Sequence, residues 1–454
     1  MEAIRLGMRG VLDLCSRNKI VFALFALSLL TRLPLMSISL DEVDSANFHN
    51  ALTYGYNVPW LRPHPPGYPV YIFMGWIVEG IVNYPIRSLT LLSALLGALT
   101  IIPFYLLFRE IAGNKVSFVA SLLFIVNPLV WSLSESALSD TPSMFFVVLL
   151  AWLCFRARSS GGAFLFACVV ASLAIGIRQP NIALLPLFAF PLVYRYRATR
   201  VIDWKFLLLG AQLFVITTLA WFFAAVIIST GGLSEYIEAI NKQWNTAVRV
   251  YDLTHVGSPL ILNIPYRIER CFLGYFFIYP WAGIDVKTPF TILLLFPWLF
   301  GFGLFVTSFN FRDPKYLFIG LWLAGIIYTI LAIHFLPRYV LPQFPAFVIA
   351  CLLGYRFLGA ERTIHPRRIE VVTILGIGCM LVSFAIKHQP PVAAFEFSPP
   401  IVSPVTGIFS TLGLLMFVVS WLVYHRPSWW SKTPITMFAS HLLAWRRSAM
   451  MGHF

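Results

Sequence analysis

The first long apolar segment of the chain is followed by LDEVDS at residues 40–45 and then by RPHPPGYP at residues 62–69. Three carboxylates therefore stand directly behind a hydrophobic segment, in a chain of which only 11% of the residues are charged. An acidic cluster is costly to place beside hydrocarbon, so in a membrane protein it usually marks a functional site. The two runs predict chemistry at the outer face of a membrane.

The composition predicts a polytopic membrane protein. The 454 residues are 59% hydrophobic and 16% aromatic. Apolar runs of about 16 to 24 residues recur along the chain, and each can cross a hydrocarbon core of about 30 Å as a helix. We predict an all-α polytopic membrane protein with about 12 transmembrane helices and juxtamembrane helices in the first external loop. The predicted spans are residues 20–38, 86–108, 116–133, 142–156, 162–177, 181–194, 206–228, 289–308, 316–333, 339–357, 369–386 and 405–424.

The formal charge of +14 does not indicate nucleic-acid binding. The basic residues form short clusters between apolar runs, which is typical of orientation signals and not of a binding stripe. The six cysteines are scattered without the spacing of a metal site or a disulfide framework, and we interpret them as small apolar fillers. The basic N-terminus precedes the first span without a small-residue cleavage site, which indicates a retained anchor.

Residues 69–83 determine the orientation of all later spans. The segment is short and contains Glu79 and two glycines. If it lies in the interface as a half-buried helix, about two thirds of the basic residues fall on one side of the membrane; if it crosses, most clusters become external. The positive-inside rule favours the interfacial helix. Both termini are then cytoplasmic, and the predicted location is the plasma (inner) membrane with the site facing the periplasm or exterior.

We predict one membrane-embedded domain over residues 1–454. Residues 1–210 form its catalytic core with external loop 39–85, and residues 211–424 add spans with external loop 229–288. Residues 425–454 form a basic cytoplasmic tail. The cytoplasmic loops are short and no nucleotide-type glycine loop is present, so a soluble nucleotide has no predicted site.

This topology gathers isolated polar side chains at the external face. The candidates for catalysis are carboxylates: Asp41, Glu42, Asp44 and Asp140. The candidates for substrate binding are Arg62, His64, Tyr68, Glu135, Arg178, Gln179, His334, Arg338 and Tyr339. No metal ligand set and no cofactor are predicted, although the sequence leaves the use of a divalent metal open.

The candidates also have structural interpretations. Ser39 with Glu42 fits a capping box, and Asp44 fits a cap of a helix ending at Tyr54. Asp140 fits a helix start. His64 in a proline-rich loop fits a structural role, and the arginines fit interfacial anchors.

Carboxylates and separated arginines at an outer face suit sugar transfer from a lipid phosphate. The donor carries its own activated leaving group, so no nucleotide is needed. A carboxylate would deprotonate the acceptor hydroxyl, and negative charge would stabilise the oxocarbenium-like transition state. Arginine would bind the departing phosphate through charge-assisted hydrogen bonds.

The same residues resemble a known family, the GT-C membrane glycosyltransferases, in the branch of protein O-mannosyltransferases and the lipid A aminoarabinose transferase. Residues 31–34 (TRLP) with 40–42 (LDE) resemble its R-x-P…D-E entry to the first external loop. Residues 62–71 (RPHPPGYPVY) are similar to its (H/K)-P-P motif, and still closer to a D-S…H-P-P-G-Y-P-L-Y group. Residues 178–181 (RQPN) and 337–345 (PRYVLPQFP) resemble its arginine-containing runs.

The resemblance covers residues 20–200 and 330–350, and it implies a polyprenyl-phosphate-sugar-dependent glycosyltransferase. It implies Asp41 as the catalytic carboxylate with Glu42 in support, and Asp140 as a second external acid. The D-S…H-P-P-G group would instead align its acid with Asp44, so both alternatives stay open.

Two other functions fit many of these features. A secondary transporter would also have about twelve spans, although its charges would be expected at mid-membrane in broken helices. A glycan ligase or polymerase using lipid diphosphate donors shares most of the pattern. The expected partners are a polyprenyl-phosphate sugar, membrane lipids and a protein, lipid or glycan acceptor, with no nucleic acid.

Overall fold

The computed structural model describes residues 19–40, 42–229, 231–251, 298, 300–331 and 337–357. Across these ranges the chain is built from helices, and the one β-contact is an isolated bridge between Asn57 and Arg62. The predicted all-α fold is confirmed. The α-helices are α1 (Lys19–Arg32), α2 (Val43–Tyr54), α3 (Pro69–Val82), α4 (Pro85–Leu99), α5 (Ile101–Ala112), α6 (Asn114–Ile125), α7 (Pro128–Leu133), α8 (Asp140–Arg156), α9 (Gly161–Ile177), α10 (Ala189–Thr199), α11 (Trp204–Ile228), α12 (Gly232–Tyr251), α13 (300–307), α14 (Pro314–Leu323), α15 (Gly325–Leu331) and α16 (Phe344–Phe357). Short 3-10 helices cover Leu33–Leu35, Val58–Trp60, Gln179–Phe188 and Pro337–Gln343.

Four helical stretches among the described residues are long and apolar enough to cross a membrane: Pro85–Ala112, Trp204–Ile228, Pro314–Leu331 and Arg338–Arg356. They match four of the predicted spans, and the chain is an integral membrane protein. The most apolar stretch of Arg338–Arg356 is 94% buried inside the protein, whereas that of Trp204–Ile228 is 11% buried. The first is therefore a central helix, and the second faces lipid. The predicted spans 369–386 and 405–424 lie outside the described residues, as does half of 289–308.

Several predicted spans are not single α-helices, and two of the breaks have a clear local cause. Within 116–133, α6 ends at Ile125, and α7 begins at Pro128 with Asn127 as its cap. The Asn127 side chain accepts hydrogen bonds from two backbone N–H groups of α7, which stabilises the break. Within 181–194, the chain forms the 3-10 helix Gln179–Phe188 before α10 begins, and Pro186 inside that segment cannot donate a backbone hydrogen bond.

The segment at 69–83 forms α3, a helix of 14 residues. At about 1.5 Å per residue it is too short to cross a core of about 30 Å upright. Ile77 and Ile81, one turn apart, are 69% and 82% exposed. This agrees with the half-buried helix predicted in the first external loop, and its side of the membrane stays a prediction.

The core joins helices from both halves of the described chain. Phe104 of α5 stacks on Phe124 of α6, which stacks in turn on Phe344 of α16. α8 packs against α9 and against the 3-10 helix Pro337–Gln343. This packing brings the start of α8, the end of α9 and the start of Arg338–Arg356 together.

Arg32, which ends α1, is fully buried and holds α1 against the α6–α7 break. Its guanidinium donates to the carbonyls of Ser28 and Ile125, each at 3.0 Å, and lies 5.4 Å from the ring of Trp131. The carbonyl of Ile125 is at the C-terminus of α6, where helix carbonyls lack partners and a cation is favourable.

Candidate active site

Helix α2 presents its acidic end to the core. Its N-cap is Glu42, which has extended backbone angles and no side-chain capping hydrogen bond, and Asp44 lies in its first turn. The helix ends at Tyr54. The capping-box interpretation is therefore wrong, because Glu42 itself is the cap residue and its carboxylate points to an arginine.

Arg338 is the centre of the cluster. One of its terminal nitrogens, Nη1, forms an ion pair with Glu42, and the other, Nη2, donates to Asp44 Oδ2 at 2.7 Å. Its Nε lies 3.7 Å from Oδ2 of Asp140. The side chain of Arg338 is 1% exposed, whereas those of Glu42 and Asp44 are 24% and 26% exposed. The arginine is thus buried beneath two carboxylates that solvent and substrate can reach.

A second ion pair lies deeper. Arg178, at the end of α9, pairs with Asp140, the first residue of α8, and both side chains are almost fully buried. The Arg178 guanidinium also lies 4.5 Å from the ring centroid of Tyr339. Burial alone lowers the pKa of Arg178, but the nearby Asp140, followed by Tyr339, raises it above its ordinary value. Arg178 is therefore a permanent cation.

The prediction that these two arginines are interfacial anchors is wrong. A snorkelling arginine keeps its head in water, whereas Arg178 is 6% exposed and Arg338 is 1% exposed. Both are instead paired with acidic residues at the end of the helix bundle. The prediction that Asp140 begins a helix is correct, and it coexists with the ion pair.

His64 extends the cluster further into the loop of residues 39–85. Its Nε2 lies 3.1 Å from the Tyr68 hydroxyl and 3.7 Å from Asp44 Oδ1. Its Nδ1 lies 3.4 Å from Nδ2 of Asn47. Because an amide nitrogen donates, this pairing assigns the imidazole proton to Nε2, which faces Asp44 and Tyr68. Burial lowers the pKa of His64, with Asp44 opposing and Arg178 reinforcing the shift, so the ring is neutral at pH 7.

Aromatic packing holds this part of the loop. Phe48 is buried beneath His64 and Tyr68, with ring centroids 5.9 and 5.0 Å away, and beneath Tyr71 at 4.9 Å. Tyr68 has a φ of 48°, a left-handed conformation that is uncommon for a side chain of this size. The conformation turns the chain at the start of α3 and places the Tyr68 hydroxyl on His64.

Asn181 locks the geometry of the deeper ion pair. Its Nδ2 donates to the Ala174 carbonyl at 2.7 Å and to Ser143 Oγ at 2.8 Å. Ser143 lies one turn after Asp140 on α8, and Ala174 lies one turn before Arg178 on α9. Asn181 therefore ties together the two helix ends that carry the pair.

The structure brings most of the predicted residues into one cluster: Glu42, Asp44, His64, Tyr68, Asp140, Arg178, Arg338 and Tyr339. It does not place Arg62 there. Arg62 donates to the Tyr54 carbonyl at 3.0 Å and stacks on Trp60 at 4.9 Å. Arg62 also forms the isolated bridge with Asn57.

The structure also describes two other candidates. Glu135 is buried, and its backbone carbonyl accepts a hydrogen bond from the Ser37 N–H at 2.9 Å. Gln179 directly follows Arg178, and its Oε1 is buried without a hydrogen-bond partner. Asp41 and His334 lie outside the described residues.

The sequence analysis missed Asn47, Phe48 and the side-chain role of Asn181. A signal existed for Asn47, because it lies three residues after Asp44 and thus on the same face of a helix. Among the described residues, no three histidine, cysteine or acidic side chains form a metal-binding group. Glu42, Asp44 and Asp140 instead surround the guanidinium of Arg338.

The sequence and the fold both resemble known membrane glycosyltransferases. Residues 63–222 match the family model described as dolichyl-phosphate-mannose-protein mannosyltransferase. The structure is similar to that of ArnT from Cupriavidus metallidurans bound to undecaprenyl phosphate, with a TM-score of 0.51 and 16% identity over 92% of this chain and 78% of ArnT. This likeness shows that the chain shares the fold of ArnT. The matched sequence segment contains His64, Tyr68, Asp140 and Arg178.

Two further structures resemble this chain. Apo ArnT from the same organism gives a TM-score of 0.50 and 14% identity over 91% of this chain and 78% of ArnT. The Archaeoglobus fulgidus oligosaccharyltransferase with a tethered acceptor peptide gives a TM-score of 0.47 and 14% identity, over 90% of this chain and 55% of that one. No curated protein sequence matches the chain.

Proposed function

We propose that this protein transfers a sugar from a polyprenyl-phosphate donor to an acceptor at the external face of the membrane. The observation that carries the proposal is the placement of Arg338 beneath Glu42 and Asp44. Sugar transfer from a lipid phosphate needs a carboxylate for the attacking hydroxyl and a cation for the departing phosphate. The cluster offers both charges within one accessible site.

In the proposed reaction a carboxylate removes the proton of the acceptor hydroxyl as its oxygen attacks the anomeric carbon. The bond from that carbon to the phosphate oxygen breaks, and polyprenyl phosphate leaves with the electron pair. Asp41 is the proposed base, because the resemblance aligns it with the family's acid. Asp44 is the alternative, since its exposed carboxylate lies within the cluster. The remaining negative charge stabilises the oxocarbenium-like transition state.

The phosphate is proposed to bind Arg338, with Arg178 as the second cation. Both terminal nitrogens of Arg338 are engaged by Glu42 and Asp44. A phosphate oxygen that took one of these positions would release a carboxylate at the moment the donor arrives. With Asp44 as the base, donor binding would free it only when there is a leaving group to receive the electron pair. With Asp41 as the base, the released carboxylate would instead add negative charge beside the oxocarbenium-like transition state. Arg178 would act through the deeper Asp140 pair, with Tyr339 stacked on it.

His64 and Tyr68 are proposed to orient the donor at the loop side of the cluster. A neutral imidazole with its proton on Nε2 donates toward Asp44 or toward a bound oxygen. Glu135, Gln179, His334 and Arg62 keep their predicted binding roles only as proposals, and Arg62 would contact substrate at the outer rim of the loop.

Two findings support the donor class. The matched family model is that of enzymes named for dolichyl-phosphate-mannose. The ArnT structure with the same fold was solved with undecaprenyl phosphate bound. The external face is supported by the concentration of basic residues in the loops opposite the cluster. No metal is part of the proposal, since the described carboxylates enclose an arginine.

The experiment uses the purified full-length chain with a panel of radiolabelled polyprenyl-phosphate sugars and a membrane extract as the acceptor source, with and without EDTA. We expect label to move from lipid to acceptor with at least one donor, equally in EDTA. Uptake of solutes into proteoliposomes without any transfer would instead identify a transporter and contradict the proposal.

A further inference from the structure

Helix α12 starts close to the membrane surface. It begins at Gly232, four residues after α11 ends at Ile228. Ile227, at the end of that lipid-facing span, is 78% exposed. A connection of this length reaches at most about 14 Å from the end of the span. The first turn of α12 is therefore held near the headgroup region, whose thickness is about 5–8 Å on each side.

One side of α12 carries an exposed apolar stripe, formed by Leu233, Ile237, Ile240 and Trp244. Their spacing of four, three and four residues places them within one narrow sector of a helix. Leu233, Ile237 and Trp244 are 47%, 46% and 60% exposed, and Ile240 is partly buried. This is a continuous apolar surface on a helix that also contains many charged residues.

The opposite side of the helix is polar. Glu235, Glu238 and Lys242 lie about half a turn away from the stripe, and all three are exposed. A helix with one apolar side and one charged side beside a membrane span has the pattern of an interfacial helix, and tryptophan is the residue type enriched at that depth.

Contacts between α12 and the first external loop fix the direction in which the apolar stripe of α12 faces. Tyr236, at the edge of the stripe, is buried, and its hydroxyl donates to the Pro66 carbonyl at 2.7 Å. Its ring makes an edge contact with Phe222 of α11, 5.8 Å between centroids. The N–H of Val58 donates to Ser229 Oγ at 3.4 Å, just before α12. The helix therefore cannot turn its stripe onto the rest of the described protein.

We propose that α12 lies flat on the bilayer surface with Leu233, Ile237 and Trp244 inserted among the lipids. The bilayer is the occupant because α12 follows closely on α11, whose most apolar stretch is only 11% buried, and because the exposed stripe of α12 is apolar. Through Tyr236 and Pro66, the inserted helix holds the His64–Tyr68 segment at headgroup depth. This inference concerns the membrane position of the loop and does not depend on which reaction the site catalyses.

The test is site-directed spin labelling of the full-length chain in liposomes. All six native cysteines are replaced, and single cysteines are placed at Ile237 and Trp244 on the stripe and at Glu238 and Lys242 on the polar side. A label at Ile227 serves as the lipid-facing reference. Only variants that elute as monodisperse protein with the helical circular dichroism of the parent chain are used.

We expect labels at 237 and 244 to be relaxed by molecular oxygen and protected from an aqueous nickel chelate, as at 227. Labels at 238 and 242 should show the reverse. Equal nickel accessibility at all four positions would place the helix in water and overturn the proposal. Protection of 237 and 244 from both reagents would mean that protein covers the stripe, either a second copy or an acceptor, and would also overturn it.

Discussion

Arg338 Nη2 donates a hydrogen bond of 2.7 Å to Asp44 Oδ2, across a separation of 294 residues in the chain. The contact joins the first external loop to the start of the central buried helix. The acidic end of α2 therefore has its position set by a residue from the far end of the described chain. In the proposed reaction this arginine both holds the carboxylates and receives the phosphate.

Two nearly isosteric substitutions distinguish Asp41 from Asp44 as the base. Asp41→Asn is expected to reduce kcat by about 10²- to 10⁴-fold, the usual contribution of a positioned general base. Asp44→Asn should be milder, because the amide oxygen can still accept from Arg338. The measurement is steady-state transfer with donor binding as a folding check, and Glu238→Gln on the exposed face of α12 is the matched control. If Asp44→Asn abolishes transfer while Asp41→Asn remains active, Asp44 is the base and Asp41 is not.

Replacing Arg338 tests the phosphate contact. Losing a charge-assisted hydrogen bond costs about 1.5–3 kcal/mol, so Arg338→Ala should lower donor affinity or rate by about 10- to 150-fold. Arg338→Lys keeps the charge but loses the planar fork, so it should recover only part of this loss. Donor KM and kcat measure the effect, and Arg312→Ala, at an exposed position, is the control. Unchanged values for both Arg338 variants would exclude this residue as the phosphate ligand.

The charges of the site were predictable from the sequence, but their pairing was not. Asp44, Asp140, Arg178 and Arg338 stood out because each is an isolated charge next to an apolar segment, which is rare in membrane proteins. Which acid meets which arginine depends on contacts between distant segments. The ion pair of Arg338 with Glu42 is of this kind, and no local pattern contains it.

Local sequence patterns gave wrong predictions for a residue and for a span. Arg62 has the same isolated character as the other arginines, but it stacks on Trp60 and donates to the Tyr54 carbonyl. The span predicted at 181–194 is apolar enough, yet Pro180 and Pro186 favour a 3-10 helix at its start. The long helices of the fold followed from hydropathy alone, because a membrane admits few other structures for an apolar run.

The buried pair of Arg178 and Asp140 should show strong coupling. Arg178→Met alone leaves a buried carboxylate without its cation, which is expected to cost about 3–5 kcal/mol of stability. The double variant with Asp140→Asn should regain much of this loss, because no charge is left unpaired. The parent chain, the two single variants and the double variant form a double-mutant cycle. Their apparent unfolding temperatures in detergent measure the coupling between the two side chains. Additive effects would mean that the two side chains do not interact.

Asn181 should affect this pair without touching substrate. Asn181→Ala removes the donors to Ala174 and Ser143, so the helix ends that carry Asp140 and Arg178 lose their link. We expect a fall in kcat with a smaller change in donor KM, and partial recovery with Asn181→Gln. A loss of folded protein with unchanged kinetics in the remainder would assign Asn181 a purely structural role.

His64 should make stability depend on pH in a known direction. Its pKa in the folded protein is lowered from the ordinary 6.5, mainly by burial, so folding favours the neutral ring. The stability that this contributes is present above pH 6.5 and is lost as the pH falls through the lowered value. The unfolding temperature should therefore drop more steeply below pH 6.5 in the parent chain than in His64→Gln. Identical pH profiles of the two proteins would contradict a neutral, buried His64.

The most direct test of the account is the identity of the lipid released during turnover. The purified chain is supplied with a polyprenyl-phosphate sugar that supports transfer, and mass spectrometry follows lipid and acceptor together. We predict that polyprenyl monophosphate appears in equal amount with glycosylated acceptor, and that both vanish in Asp41→Asn. Turnover only with diphosphate donors and release of polyprenyl diphosphate would contradict the account and identify a lipid-diphosphate-dependent ligase.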